Sequence, residues 1–228
     1  MNQKKCVLVT GATGVLGSAL VAALREANCE VVANFCHDEK RAALLAQKTG
    51  CQLARGDVSI ENSVETLFQT RFDAVYHLAG ASHDALLPRV STQNWSFQLQ
   101  TNLQSAFLVT RAALSNLPRD GKLILVASRV AERGFVGQSA YGASKAAIFG
   151  LMKTAALEGR EKKIAVNAVC PGFAISALSE SLSPAILARR SAENLIPDAD
   201  APQSFAALCL WLLNSNTSGQ VLRPDCRI

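Results

Sequence analysis

Short apolar runs alternate along the chain with stretches whose apolar positions recur at helical spacing. Seven runs have strand length: 6–10, 30–35, 51–54, 74–80, 122–128, 164–170 and 220–223. Between them, 15–27, 39–48, 60–69, 92–117, 141–159 and 202–214 carry the 3.6-residue periodicity of helices. Runs such as CVLVT and KLILVAS are apolar at successive positions instead of every second one. Successive strand residues face opposite sides of a sheet, so this pattern means that both faces are covered. The strand–helix alternation predicts right-handed crossovers and a doubly wound parallel α/β sheet of about seven strands. No linker, repeat or compositional break divides residues 1–228, which predicts one domain. Ligands of such sheets gather beyond the carboxyl ends of the strands. The stretches TGATGVLG, HLAG, Ala127–Ser128 and Cys170–Gly172 all end strand runs and are expected to converge there.

Composition narrows the picture. The net charge of +5 (23 Lys+Arg against 18 Asp+Glu) is spread along the chain. It has no dense basic run with interleaved aromatics, which excludes a nucleic-acid reading and leaves anionic small molecules, an acidic carrier or an ordinary solvated surface. The seven cysteines, Cys6, Cys29, Cys36, Cys51, Cys170, Cys209 and Cys226, are odd in number and form no CxxC pair. That argues for a reducing, cytoplasmic setting, with neither a disulfide framework nor a metal site. The chain enters a strand at once and its apolar stretches are too short to span a bilayer, so neither a signal peptide nor membrane association is expected.

The first strand–helix junction holds Gly11, Gly14 and Gly17 at GxxGxxG spacing, not the GxGxxG of the dinucleotide fingerprint. Three glycines at such a junction fit a turn, a close backbone approach and a helix packed on the sheet, with free N–H groups for a pyrophosphate. Gly11, Thr13, Gly14, Val15 and Leu16 are the expected contacts, against the alternative of a plain turn. After the second strand, Asn34, Phe35, Cys36 and His37 offer no carboxylate for a ribose 2′-hydroxyl, and Lys40 and Arg41 follow closely. This favours NADPH over NADH; Asp38 and Glu39 are expected to cap the next helix. Asp57 could accept from the adenine amino group or cap a helix.

Tyr141 and Lys145 in YGASK share a helix face at i and i+4, and Ser128 ends the fifth strand. A tyrosine with an ordinary pKa near 10 becomes a usable general acid if a nearby ammonium favours its phenolate, and a serine hydroxyl can donate to the same carbonyl oxygen. In isolation the pair reads as a surface contact. Its position among the strand-ending motifs gives it weight.

With those motifs in place, the chain resembles the short-chain dehydrogenases/reductases, and among them the 3-oxoacyl-acyl-carrier-protein reductases. The likeness runs through 82–95, TNLQSAF, GQSAYGASKAA, VNAVCPGF and SGQVL in order. It implies a Rossmann fold and a tetrad of Asn102, Ser128, Tyr141 and Lys145. In that scheme Tyr141 delivers the proton, Ser128 orients the carbonyl, Lys145 holds the nicotinamide ribose and Asn102 anchors a water. The resemblance further implies cofactor contacts from Asp57, Val58, Ala79 and Gly80 and from Pro171, Gly172, Ala174 and Ser176. It implies a homo-oligomer (dimer or tetramer) and carrier docking at Arg119 and Lys162, which alternatively are solvated loop charges. Reduction of a carrier-bound 3-oxoacyl thioester is the activity expected. The alternatives are a reductase or alcohol dehydrogenase for a free small molecule, and a catalytically silent partner subunit.

Four features depart from those reductases. The glycine spacing matches larger, sugar-nucleotide-modifying members, and HLAG replaces NNAG, with His77 reading as a structural strand-end residue. The segment 173–200 is expected to be a substrate lid, and beyond Ile196–Pro197 DADAP replaces a basic-glycine turn. RPDCRI replaces a VDGG-type tail. These changes imply a specialised reductase in place of a housekeeping one.

Overall fold

Each strand-length run folds into one parallel sheet. The computed structural model describes residues 4–224 except 177, 178, 180–182, 196 and 198. The strands are β1 (Cys6–Thr10), β2 (Glu30–Phe35), β3 (Gln52–Arg55), β4 (Ala74–His77), β5 (Lys122–Val126), β6 (Ala165–Val169) and β7 (Val221–Leu222), in the order β3-β2-β1-β4-β5-β6-β7. The order reverses between β1 and β4, where Thr10 is in register with His77. The switch point therefore lies at the glycine loop.

Both faces are covered because neighbouring strand residues point opposite ways. Leu123 and Leu125 of β5 pack toward α5 (Ser105–Asn116) and α7 (Ser139–Glu158), against Val109, Ala113, Ile148 and Met152. Ile124 and Val126 face the other way, toward α1 (Val15–Glu26) and α9 (Ala201–Asn214), against Leu20, Leu24, Phe205 and Leu212. The Tyr76 hydroxyl of β4 donates to the Cys209 carbonyl at 2.8 Å, pinning α9 to the sheet. The helices α2 (Glu39–Thr49) and α3 (Glu61–Leu67) complete the first half, and Asp38 caps α2 by accepting from the Arg41 N–H at 2.9 Å.

Three differences from the sequence reading bear on the site. The single helix expected over 92–117 is α4 (Thr92–Leu99) and α5 joined by a π turn, Gln100–Gln104, which contains Asn102. The strand expected over 74–80 stops at His77, because Leu78, Ala79 and Gly80 turn over the switch point. Two further helices border the cavity, α6 (Val130–Arg133) and α8 (Pro184–Ala192). Of the expected lid and tail, 177, 178, 180–182, 196, 198 and 225–228 (with Cys226) lie outside the described residues. Among those described, no helix is long and apolar enough to cross a membrane.

Candidate active site

At the carboxyl ends of the strands lies a cavity of about 1020 Å³. One end is built on the junction of β1 and α1. Gly11 adopts φ +64°, and a Cβ there would meet the Ala79 nitrogen at 2.8 Å, so this turn requires glycine. At Gly14 a Cβ would touch only the Gly11 carbonyl oxygen, at 3.4 Å, leaving the wall open to a ligand. No side chain caps α1, and its first turn has no acidic residue. Its N–H groups therefore face the cavity unmatched, which fits a pyrophosphate.

Thr13, Val15, Leu16, Val58, Ala79, Gly80, Pro171, Gly172, Ala174 and Ser176 line the same cavity, as do Asn34, Cys36, His37 and Asp57. The Asn34 side chain, however, donates to the carbonyls of Ala54 and Gly56 at 3.2 and 3.0 Å and is committed to the sheet. Asp57 accepts from the Ser59 N–H at 2.9 Å, whereas α3 begins after Ile60, so Asp57 shapes a turn and does not cap that helix. Burial pushes the Cys36 thiol up, with the Asp57 carboxylate adding to the effect. Arg41 is on the wall and Lys40 is not; the Arg41 guanidinium meets Asp38 at 3.2 Å.

The reaction end is set by β5, the π turn and α7. Ser128 follows β5, accepts from the Val130 N–H at 3.3 Å and shares a side-chain hydrogen bond with Tyr141. One turn along α7 the Lys145 ammonium donates to the Val126 carbonyl at 2.9 Å. Burial lowers its pKa to about 8. Tyr141 departs from the sequence reading: its pKa is raised. Burial is the largest cause and outweighs the Ser128 hydrogen bond, while the Lys145 nitrogen lies 5.9 Å from the Tyr141 ring centroid and donates to Val126. Tyr141 is thus a protonated hydroxyl, not a poised phenolate.

Asn102 is fully buried and does not line the cavity. Its amide accepts from the Ala81 N–H at 2.8 Å and donates to the Ala81 carbonyl and the Ser144 hydroxyl at 2.9 and 3.1 Å. A Cβ at Gly80 would come within 2.8 Å of Asn102 Oδ1 and 3.3 Å of Lys145 Nζ. The loop after β4, the π turn and α7 therefore interlock, and a π turn at such a place is a common functional device.

His77 organises the floor below them. The Thr10 hydroxyl oxygen accepts from the Leu78 and Ala79 N–H groups at 3.2 and 3.3 Å, so its proton points to His77 Nδ1 at 2.9 Å. The other ring nitrogen then carries the hydrogen, donating to the Ser105 hydroxyl at 3.1 Å, which donates to the Thr101 carbonyl at 2.5 Å. Burial holds the His77 pKa down at about 3, with the Lys145 charge adding. The ring is a neutral strut between the glycine loop and the π turn.

Arg119 and Lys162 stand elsewhere. They precede β5 and β6, at the amino ends of the strands, whereas the cavity lies at the carboxyl ends. Both are exposed and bond to loop and helix-end carbonyls of Glu161, Leu114 and Ser115. The cavity also has a basic mouth that the sequence reading missed, formed by Arg129, Arg133, Arg189 and Arg190. They come in two pairs, Arg129 and Arg133 bounding α6 and Arg189 and Arg190 on α8, about sixty residues apart in the chain.

A glycine loop at the switch point of a parallel sheet, with a Tyr–Lys helix turned onto the same cavity, defines an oxidoreductase of the nicotinamide-dependent, doubly wound class. A family model described as enoyl-(acyl carrier protein) reductase matches residues 11–226, and the chain belongs to the short-chain dehydrogenase/reductase family. An acetoacetyl-CoA reductase from Rhizobium meliloti (strain 1021) is 29% identical over 94% of this chain and 92% of that protein. The 3-oxoacyl-[acyl-carrier-protein] reductase FabG of Thermotoga maritima is 31% identical over 97% of this chain and 96% of its own length. The crystal structure of a dehydrogenase/reductase from Sinorhizobium meliloti 1021 superposes with a TM-score of 0.89 at 24% identity, covering 96% of this chain and 92% of that one. That last likeness concerns the fold alone.

Proposed function

We propose that the chain reduces a 3-oxoacyl thioester to its 3-hydroxyacyl form with NADPH. The observation that carries this reading is the meeting of Ser128, Tyr141 and Lys145 on the cavity walled by the glycine loop. The N–H groups at the start of α1 would hold the pyrophosphate, Lys145 the ribose and the stretch Pro171 to Ser176 the carboxamide. When bound, the nicotinamide supplies hydride to the carbonyl carbon. The chain supplies the proton. Ser128 and Tyr141 donate to the carbonyl oxygen, and as negative charge develops there Tyr141 releases its proton to it. A raised tyrosine pKa suits this direction, since the group stays protonated until the alkoxide forms. Lys145, held by Val126, then faces the tyrosinate with an ammonium one turn away.

The reading of NADPH rests on the absence of a carboxylate from 34–37 and on Arg41 in the wall. Asp38 also lines the cavity, but its oxygens cap α2 and meet Arg41. A homo-oligomer is in keeping with the exposed Trp95 and Phe107 on α4 and α5. The intact constellation argues against a silent subunit. Docking of an acidic carrier at Arg119 and Lys162 rests on charge alone, since those residues sit at the opposite edge of the sheet from the cavity.

One assay tests the reading. Purified protein is expected to oxidise NADPH faster than NADH with acetoacetyl-CoA, and equal rates would remove the 2′-phosphate argument. In the same assay, Arg119→Glu with Lys162→Glu should slow a carrier-linked acetoacetyl substrate and spare the CoA thioester. Equal losses on both would end the docking reading.

A further inference from the structure

Beyond Ser128 and Tyr141 the cavity is walled by Arg129 and Arg133, which cap and end α6, and by Arg189 and Arg190 on α8. Among the described residues, two carboxylates, Glu193 and Asp84, stand among these four cations. Glu193 meets Arg133 at 3.4 Å and Arg129 at 3.9 Å. Asp84 meets Arg190 at 3.4 Å and is itself held by the Gln138 amide, 2.9 Å from each oxygen. Among the described residues no carboxylate pairs with Arg189, and the buried Arg190 Nε has no acceptor. The Phe135 ring lies 4.3 Å beneath the Arg190 guanidinium and 5.9 Å from that of Arg189.

Two accounts compete for such a cluster. As a latch, the ion pairs tie α8 to the body of the protein, and Asp84 and Glu193 do this. A latch does not require two cations in excess of its carboxylates, nor a buried N–H left without an acceptor, which is a costly arrangement. Stacking on Phe135 fixes a guanidinium plane while leaving its edge donors free. Planar forks of this kind match a carboxylate or phosphate with two parallel hydrogen bonds. Asp84 and Arg190 also both act electrostatically on Tyr141, so the inner arginine is within range of the proton donor.

We propose that this rim is the anion-binding half of the substrate site: Arg189 and Arg190 receive a carboxylate or phosphate of the substrate while its carbonyl lies at Ser128 and Tyr141. The proposal rests on the reductase reading of the cavity. The anion has two sources of the same chemistry, the carboxylate of a free oxo acid or the phosphates of a coenzyme A or phosphopantetheine thioester. Calorimetric titration of the protein, with and without NADP+, with coenzyme A, acetoacetate and uncharged acetoacetyl-N-acetylcysteamine separates them. NADPH oxidation is followed with acetoacetyl-CoA, acetoacetate and the same neutral thioester. At least one anion should bind more tightly than the neutral thioester, and coenzyme A or acetoacetate as the tighter ligand identifies the source. Arg189→Gln should weaken that anion by about tenfold or more, as expected for a charge-assisted pair. Its KM should rise with little change in kcat, the neutral thioester should be affected less, and Arg189→Lys should recover part of the loss. Arg189 is exposed, so its variants should fold even where Arg190→Gln does not. Equal weakening of all three ligands, or no preference of the wild type for an anion, would overturn the rim. Anion binding without NADPH oxidation on any substrate would instead overturn the reductase reading and leave the rim standing.

Discussion

At the residue scale the site is governed by burial more than by the ion pair its spacing advertises. Tyr141 and Lys145 lie one helical turn apart, yet the ammonium spends a proton on Val126 and the phenol keeps its own. The titration that matters near neutrality is therefore that of Lys145, with a pKa of about 8. Its folded value lies below the ordinary one, so the ammonium is lost as pH rises through about 8. In the free enzyme, kcat/KM for the reduction should accordingly fall above that pH, because this parameter reports groups of the unliganded protein. Lys145→Gln should give a low rate without this alkaline limb. A limb that persists in the variant would assign the titration to another group.

At the scale of elements, the unusual HLAG sequence is explained by the strut it builds. β1 and β4 end side by side, and His77 links Thr10 to Ser105, the residue that follows the π turn and begins α5. The unfolded chain takes up a proton on this histidine below about 6.5, which the folded ring refuses until about 3. Stability should therefore fall as pH drops through that window, by up to about 1.4 kcal/mol per pH unit. Urea midpoints from neutral to acid pH should decline faster for the wild type than for His77→Asn, which has no such titration. Matching slopes would show that another group governs acid unfolding.

These elements also show what the sequence could and could not reveal. The strands and α1, α2, α7 and α9 were legible because a sheet covered on both faces writes apolar runs of its own length. The π turn was not, since one extra residue in a turn hardly disturbs the helical period of 92–117. α8 carried a readable start signal, Ser183 capping the Ile186 N–H with Pro184 at the first position, within a segment read only as a lid. The Tyr141 helix and the glycine loop announced themselves as local motifs. The basic mouth did not, because burial and partner counts are properties of the folded chain.

At the scale of the molecule, a modest net charge hides an uneven distribution. Four arginines crowd one end of the cavity, the uncapped start of α1 faces the other, and the Tyr141–Ser128 pair stands near the arginine end. The seven-stranded sheet holds all three by strand ends that cannot move independently. On the proposed function, the chain is a carbonyl reductase whose protein-borne step is a single proton transfer. The measurement that tests this most directly compares wild type with Tyr141→Phe, following NADPH oxidation with acetoacetyl-CoA beside NADPH binding by fluorescence. The account predicts a loss of turnover of at least about a hundredfold, the scale of a general acid, with cofactor affinity nearly unchanged. Turnover near the wild-type rate in Tyr141→Phe would contradict it.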